Sequence, residues 1–269
     1  MLNKLKLFLF FLIFSFLAVA CKTTSVVTES GWQSVAQGIQ RIDVKMADRN
    51  VSYTCVKIDL ETEGLEIIAS PAAKDEIQCL FSLKEFARKN ETIVCVNTTP
   101  FAIEEKQIVL MGITKTNGIE LSGIYNPQKD YCVLALSNNR AAFFNQNNLT
   151  EKQQQNYDFI ISGYFRILEK NQIVTDSQIL RSRTACGTDK TGRYLYLLCG
   201  TPDFSLTDNN GLSYVECARI LQELGCTDAI EFDGGHSSGM YIFTKSVQKP
   251  LFQRKIPAAL GFKLQSVQN

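Results

Sequence analysis

Two segments with a helical hydrophobic period are each followed by a short, unbroken apolar run. In the first, Leu83, Phe86 and Ala87 recur three or four residues apart behind Ser82-Leu83-Lys84-Glu85. That is the Ser-x-x-Glu pattern of a capping box, so a helix starts here. Asn90 ends it, and Thr92-Ile93-Val94-Cys95-Val96 reads as a buried strand that stops at Asn97-Thr98-Thr99-Pro100-Phe101. The second segment repeats the arrangement. Tyr214, Cys217, Ala218, Leu221 and Leu224 line one helix face behind the box Ser213-Tyr214-Val215-Glu216, and Gly225 stands where a left-handed cap is wanted. Ala229 to Phe232 follows as a strand, and Gly234-Gly235 then turns the chain at once.

Most of the remaining pattern has period two. Ser52 to Asp59 predicts a strand whose hairpin partner is Gly64 to Ala69. Asn117-Gly118 and Asn138-Asn139 mark two further hairpin turns, and Asp189 to Gly192 closes another between 180–187 and 193–200. Residues 145–157 read as a polar helix or long loop, and Ala258 to Leu264 as a last strand. The fold expected is α+β (mixed α/β): a largely antiparallel twisted sheet with two principal helices packed on it. Were the strands ending at Asn97 and Phe232 parallel neighbours, Asn97 and Asp233 would meet at one sheet edge. The alternative for Asn97 is a plain turn residue.

The N-terminus departs from this pattern. Lys4 and Lys6 precede an apolar run from Leu7 to Val19 that ends in Ala18-Val19-Ala20-Cys21. The run is short for a spanning helix and reads as an export signal over 1–21. A bacterial lipoprotein signal with lipidation at Cys21, and an ordinary signal cut after Ala20, both match it. Residues 22–40 are expected to be a tether, and 41–269 one domain. An exported protein anchored through a lipid on Cys21, in the periplasm or at the cell surface, is the localisation expected.

Composition narrows the function. A net charge of +1 over 269 residues leaves no broad footprint for nucleic acid. Eight cysteines follow Cys21, but Cys95, Cys132 and Cys199 lie in apolar strand-like runs, and no Cys-x-x-Cys pair suggests zinc. Buried thiols are expected for most. Asp203 to Asn209 is loosely like a calcium loop but lacks its glycine and final glutamate. Neither metal nor cofactor is expected.

Candidate chemistry concentrates after the second strand, where Glu231, Asp233, Gly234, Gly235, the single histidine His236, Ser237 and Ser238 fall within eight positions. Glycines let a backbone approach a ligand and aim N–H groups at an anion. Decorated turns on rigid scaffolds are where sites gather, although a bare polar turn explains the glycines alone. Arg181 and Arg183 share a strand face; they suit either an anion or protection of a solvated edge.

Taken in order, Asn97 to Phe101, Arg183-Thr184-Ala185 with its partner strand at Gly200, and Gly211-Leu212-Ser213 running into Asp233 to Ser238 resemble the phosphodiester glycosidase domain. The resemblance covers roughly Ile42 to Leu264. In that family the last segment runs Asp-Gly-Gly-Gly-Ser-Ser, with His236 here in place of the third glycine. The first usually reads Asn-Gly-Gly-Phe-Phe. The resemblance implies hydrolysis of a sugar-1-phosphodiester at the anomeric carbon, releasing sugar from a phosphorylated glycan or glycolipid. Asp233 would be base or nucleophile, His236 an acid or phosphate donor, and Glu231 the second carboxylate. Arg183 and Arg181 would clamp phosphate, with Asn97, Gly234, Gly235, Ser237 and Ser238 completing the substrate site. The altered Asn97 loop favours an alternative, an inactive envelope glycan-binding lipoprotein on the same scaffold; a calcium-dependent adhesive module is a third reading.

Overall fold

The computed structural model describes residues 28–29, 31–46, 49–137, 139–202, 210–243, 245–249 and 253–265. The export signal, Cys21 and the calcium-like stretch at 203–209 lie outside the described residues.

The fold is mainly β, not the single sheet with two helices that the pattern predicts. Strands take 46% of the described residues and helices, 3-10 turns included, 15%, so sheets rather than helices build the core. Three helices are described: α1 (Leu83–Asn90), the single-turn α2 (Glu151–Gln154) and α3 (Tyr214–Glu223). Around them lie a nine-stranded sheet, two five-stranded sheets and the hairpin Phe101–Glu104/Gln107–Leu110. One twisted sheet of all these strands would far exceed the roughly ten that an open sheet holds before it splits, so they divide among packed sheets.

The largest sheet runs through Ile39–Lys45, Val51–Asp59, Tyr194–Pro202, Arg183–Thr188, Asp228–Glu231 and Arg166–Glu169, every neighbour antiparallel. Gln33–Ala36, inside the expected tether, pairs with Ile39–Lys45 as a hairpin strand. Val51–Asp59 does not pair with Leu65–Ser70; the latter joins Ala259–Leu264 in another sheet. A hairpin turn and a sheet-to-sheet crossover look alike in sequence when both are short and polar.

All three sheets face one core. Val56 and Leu197 from the first, Leu134 and Leu136 from the second, and Val96 and Phe262 from the third pack there with Phe232. The largest sheet is covered on its other face too, where Ala185, Leu198 and Ala229 meet Cys217, Ala218 and Leu221 of α3. Helix α1 does the same for the third sheet, through Leu83, Phe86 and Ala87 against Cys95 and Ala259. Strands buried on both faces read as continuous apolar runs, which explains Val94–Val96 and Leu195–Cys199. Both predicted capping boxes form, Ser82 with Glu85 and Ser213 with Glu216. The Asn117-Gly118 turn also forms, both residues left-handed at φ 49° and 79°.

Candidate active site

Val94–Asn97 and Asp228–Glu231 belong to different sheets, not to neighbouring positions in one. Asn97 and Asp233 meet nevertheless, because the two sheets close on each other at that end. The Asn97 amide Nδ2 donates to the Asp233 carbonyl at 2.6 Å. Its Oδ1 accepts from Thr184 Oγ1 at 2.7 Å and from the Gly239 N–H at 3.0 Å. Asn97 is thus 1% exposed and committed to the scaffold. The neighbouring loop holds the same point through its backbone: Asp233 N–H donates to the Thr98 carbonyl at 2.8 Å. Thr98 and Thr99 are buried in place of the family's glycines.

Beyond Asp233 the chain enters a 3-10 turn at Gly235–Ser237. Gly235 is left-handed at φ 61°, where a side chain would strain the backbone. Gly234 is needed for close approach: a Cβ there would lie 3.2 Å from the Ser182 carbonyl and 3.6 Å from Arg183 Nη1. The turn does not form an open nest of donors. The N–H groups of Gly235, Ser237 and Ser238 go to the carbonyls of Ser182, Gly234 and Gly235.

The cation facing Asp233 is Arg254, which the pattern of the chain did not single out. Its Nη2 donates to Asp233 Oδ2 at 2.8 Å and its Nε to Ser237 Oγ at 2.5 Å. Its N–H donates to the His236 carbonyl at 2.9 Å, and its guanidinium lies 4.2 Å from the Phe101 ring centre. The Arg254 side chain is 46% exposed and that of Asp233 8%. Burial pushes the Asp233 carboxyl up from its ordinary value, while Ser237 and Arg254 pull it down. In sequence Arg254 is one cation in a basic loop, with no spacing that marks it.

Arg183 stands directly behind Gly234, and the residue is 6% exposed. Nε donates to the Leu212 carbonyl at 3.1 Å, Nη2 to the Ile179 carbonyl at 2.8 Å, and the group stacks on Tyr214 at 4.2 Å. Arg181 is exposed and forms a backbone bridge with Leu212. Glu231 is completely buried opposite Ala185. Burial raises its pKa from 4.5 to about 7, against the pull of Arg183, and neither carboxylate oxygen has a hydrogen-bond partner among the described residues. His236 is exposed on the turn, Ser237 and Ser238 are buried, and the Ser238 carbonyl accepts from Gln253 Nε2 at 2.9 Å.

An aromatic group adjoins the acid. Tyr164, whose phenol feels the Asp233 charge, lies 5.7 Å from Tyr131 and 6.1 Å from Phe165 between ring centres, and Tyr125 stacks on Tyr131 at 6.4 Å. The arrangement therefore joins a nearly buried carboxylate, a half-exposed guanidinium and aromatic faces. It can hold an anion at Arg254 while Asp233 acts on an atom beside it.

Residues 90–263 match the family model described as phosphodiester glycosidase. Among solved structures, the catalytic domain of zebrafish N-acetylglucosamine-1-phosphodiester alpha-N-acetylglucosaminidase, auto-inhibited by its pro-peptide, superposes with a TM-score of 0.65 at 17% identity, over 87% of this chain and 86% of that one. A hypothetical protein from Synechocystis gives 0.62 at 14% identity over 86% of this chain, which spans only 63% of that one. A protein from Burkholderia pseudomallei gives 0.56 at 11%, covering 79% and 74%. At these identities the likeness is one of fold. No curated protein is matched by the chain.

Proposed function

The chain belongs to the phosphodiester glycosidase family, and from that premise we propose that it hydrolyses a sugar-1-phosphodiester at the anomeric carbon. The observation that carries the reading is the contact between Arg254 and Asp233, a buried acid held by a guanidinium that still faces solvent. The exposed face of Arg254 takes a phosphate oxygen. A water beside Asp233 attacks C1 and gives its proton to the carboxylate, while the C1–O bond breaks and its electron pair leaves with the phosphate. Arg254 offsets the charge that grows on that leaving group. A phosphate departs without full protonation, so the site needs no strong acid; in this reading His236, exposed on the turn, donates to a phosphate oxygen.

Asn97, Gly234 and Gly235 act by placing Asp233, and Ser237 by orienting Arg254. Arg183 and Glu231 act from behind the turn: the buried carboxyl and the guanidinium set the potential at Gly234. Arg181, on the exposed edge, is kept as a secondary phosphate contact. Ser238 supports the turn from within. Export, with a lipid on Cys21 as membrane anchor, remains part of the proposal, because a substrate on an envelope glycan or glycolipid requires it.

The test is to incubate the full chain with phosphodiesters of glucose, galactose, mannose and N-acetylglucosamine joined at C1, and to assay free sugar. Release that disappears in Asp233→Asn and Arg254→Ala supports the reading. No release from any member ends it, and glycan binding that survives Asp233→Asn would then favour the inactive lipoprotein.

A further inference from the structure

Next to the site, and not used by the chemistry above, is a cleft of about 850 Å³. It opens between the second sheet and the edge of the largest one. Phe165, Tyr214 and Val174 supply apolar surface, while Asp130, Asn145 and Asp176 supply polar groups. Two of these residues lead directly to the site. The Phe165 carbonyl accepts from the Glu231 N–H at 3.1 Å, two residues before Asp233, and Tyr214 carries the Arg183 guanidinium on its face.

The charge of the cleft limits what it can hold. Its wall carries three carboxylates, Asp130, Glu169 and Asp176, against one guanidinium, Arg166. That guanidinium is already committed, donating to Asp228 at 2.9 Å and to the Phe143 carbonyl at 2.8 Å, with Glu169 at 3.7 Å. A second phosphate or a uronic acid would meet a wall with more carboxylates than cations. The exposed Phe165 ring beside carboxylate oxygens suits the other alternative. The ring covers the C–H face of a pyranose, and the oxygens accept from its hydroxyl or ammonium groups.

We propose that this cleft is a saccharide-binding site for uncharged or amine-bearing sugar units, continuing the chain whose reducing-end sugar is esterified at the Asp233 site. The substrate class is then an oligosaccharide phosphodiester rather than a single sugar. The inference rests on the phosphodiester glycosidase reading only for the direction of that chain; binding in the cleft is independent of turnover.

The experiment uses the full chain carrying Asp233→Asn, titrated calorimetrically with cellohexaose, maltohexaose, chitohexaose, its N-acetylated form and hexagalacturonate. At least one neutral or aminated hexamer is expected to bind, with hexagalacturonate at least about tenfold weaker. Phe165→Ala, at an exposed ring, should weaken the bound hexamer at least about tenfold, as loss of a central aromatic contact does. Asp176→Asn should weaken an aminated hexamer more than a neutral one. Failure of all neutral and aminated hexamers to bind, tighter binding of hexagalacturonate, or binding unchanged by Phe165→Ala overturns the proposal. Loss of hexamer binding in Arg254→Ala but not in Phe165→Ala also overturns it, by placing the sugar in the site. Hexamer binding that passes these tests in a chain without turnover on any phosphodiester would leave the cleft standing and remove the hydrolase reading.

Discussion

The Asn97 side-chain amide donates to the Asp233 carbonyl at 2.6 Å, tying together residues 136 positions apart. The same side chain accepts from Thr184 and from Gly239, so one buried amide fixes two sheets and both sides of the Asp233 turn.

Asn97→Ala leaves the Asp233 carbonyl and the Gly239 N–H without their partner and the Thr184 hydroxyl with only the Cys199 sulfur. Each such loss costs about 1–3 kcal/mol, and a destabilisation of at least about 3 kcal/mol in urea unfolding is expected. Asn97→Asp should rescue only part of it, since a carboxylate can accept from Thr184 and Gly239 but cannot donate to the Asp233 carbonyl. A midpoint within error of the wild type for Asn97→Ala would show that the tie is not holding the site.

Arg254→Ala should lower kcat/KM by about 10²–10³, the usual loss for one donor aimed at developing charge. Arg254→Lys should recover only part of it, because an ammonium cannot bridge Asp233 and Ser237 as a fork does. Arg254 lowers the Asp233 pKa, so its removal lets that pKa rise. The acid limb of the rate profile should therefore move to higher pH. A profile that stays in place would separate Arg254 from the titration of Asp233.

Glu231 predicts a pH dependence of stability. Its pKa is about 7 in the fold against an ordinary 4.5, so the folded state binds the proton more tightly than the unfolded chain does. That stabilisation is complete below about pH 4.5, declines as pH rises towards 7, and is gone above. The difference amounts to on the order of 3 kcal/mol. Glu231→Gln should flatten the stability curve across that window, whatever its effect on the baseline. A slope as steep as the wild type's would assign the titration elsewhere.

The thiols offer a check on the core. Cys55, Cys95, Cys132, Cys186, Cys199, Cys217 and Cys226 are buried and free, and Cys79 is exposed and free. In a full chain carrying Cys21→Ser, one thiol should react rapidly with a disulfide reagent, and seven more only after unfolding. Reducing agent should leave the thermal midpoint unchanged. A drop in midpoint on reduction would reveal a disulfide.

Local pattern was enough for several parts of this molecule. The two capping boxes, the Asn117-Gly118 turn, the pairing of Arg183–Thr188 with Tyr194–Pro202 and the buried cysteines each depend on residues close in sequence or on simple alternation. The family, too, was legible from Asn97 to Phe101 and Asp233 to Ser238. Long-range partnership was not. The pattern placed Leu65–Ser70 beside Val51–Asp59, whereas it crosses to Ala259–Leu264. The resemblance gave Arg183 as a phosphate clamp; in the fold its guanidinium donates to the carbonyls of Leu212 and Ile179 and stacks on Tyr214, which no local pattern foretold.

By itself, then, the sequence determined the two capped helices, most of the alternating strands and the glycine turn after Asp233, because these follow from propensity and spacing within about ten residues. Tertiary structure alone decided that the strands form three sheets rather than one, that Asn97 is scaffold, and that Arg254 holds the acid. Those outcomes depend on which surfaces close over a shared core, and a side chain's partner across that closure leaves no periodic trace in the chain.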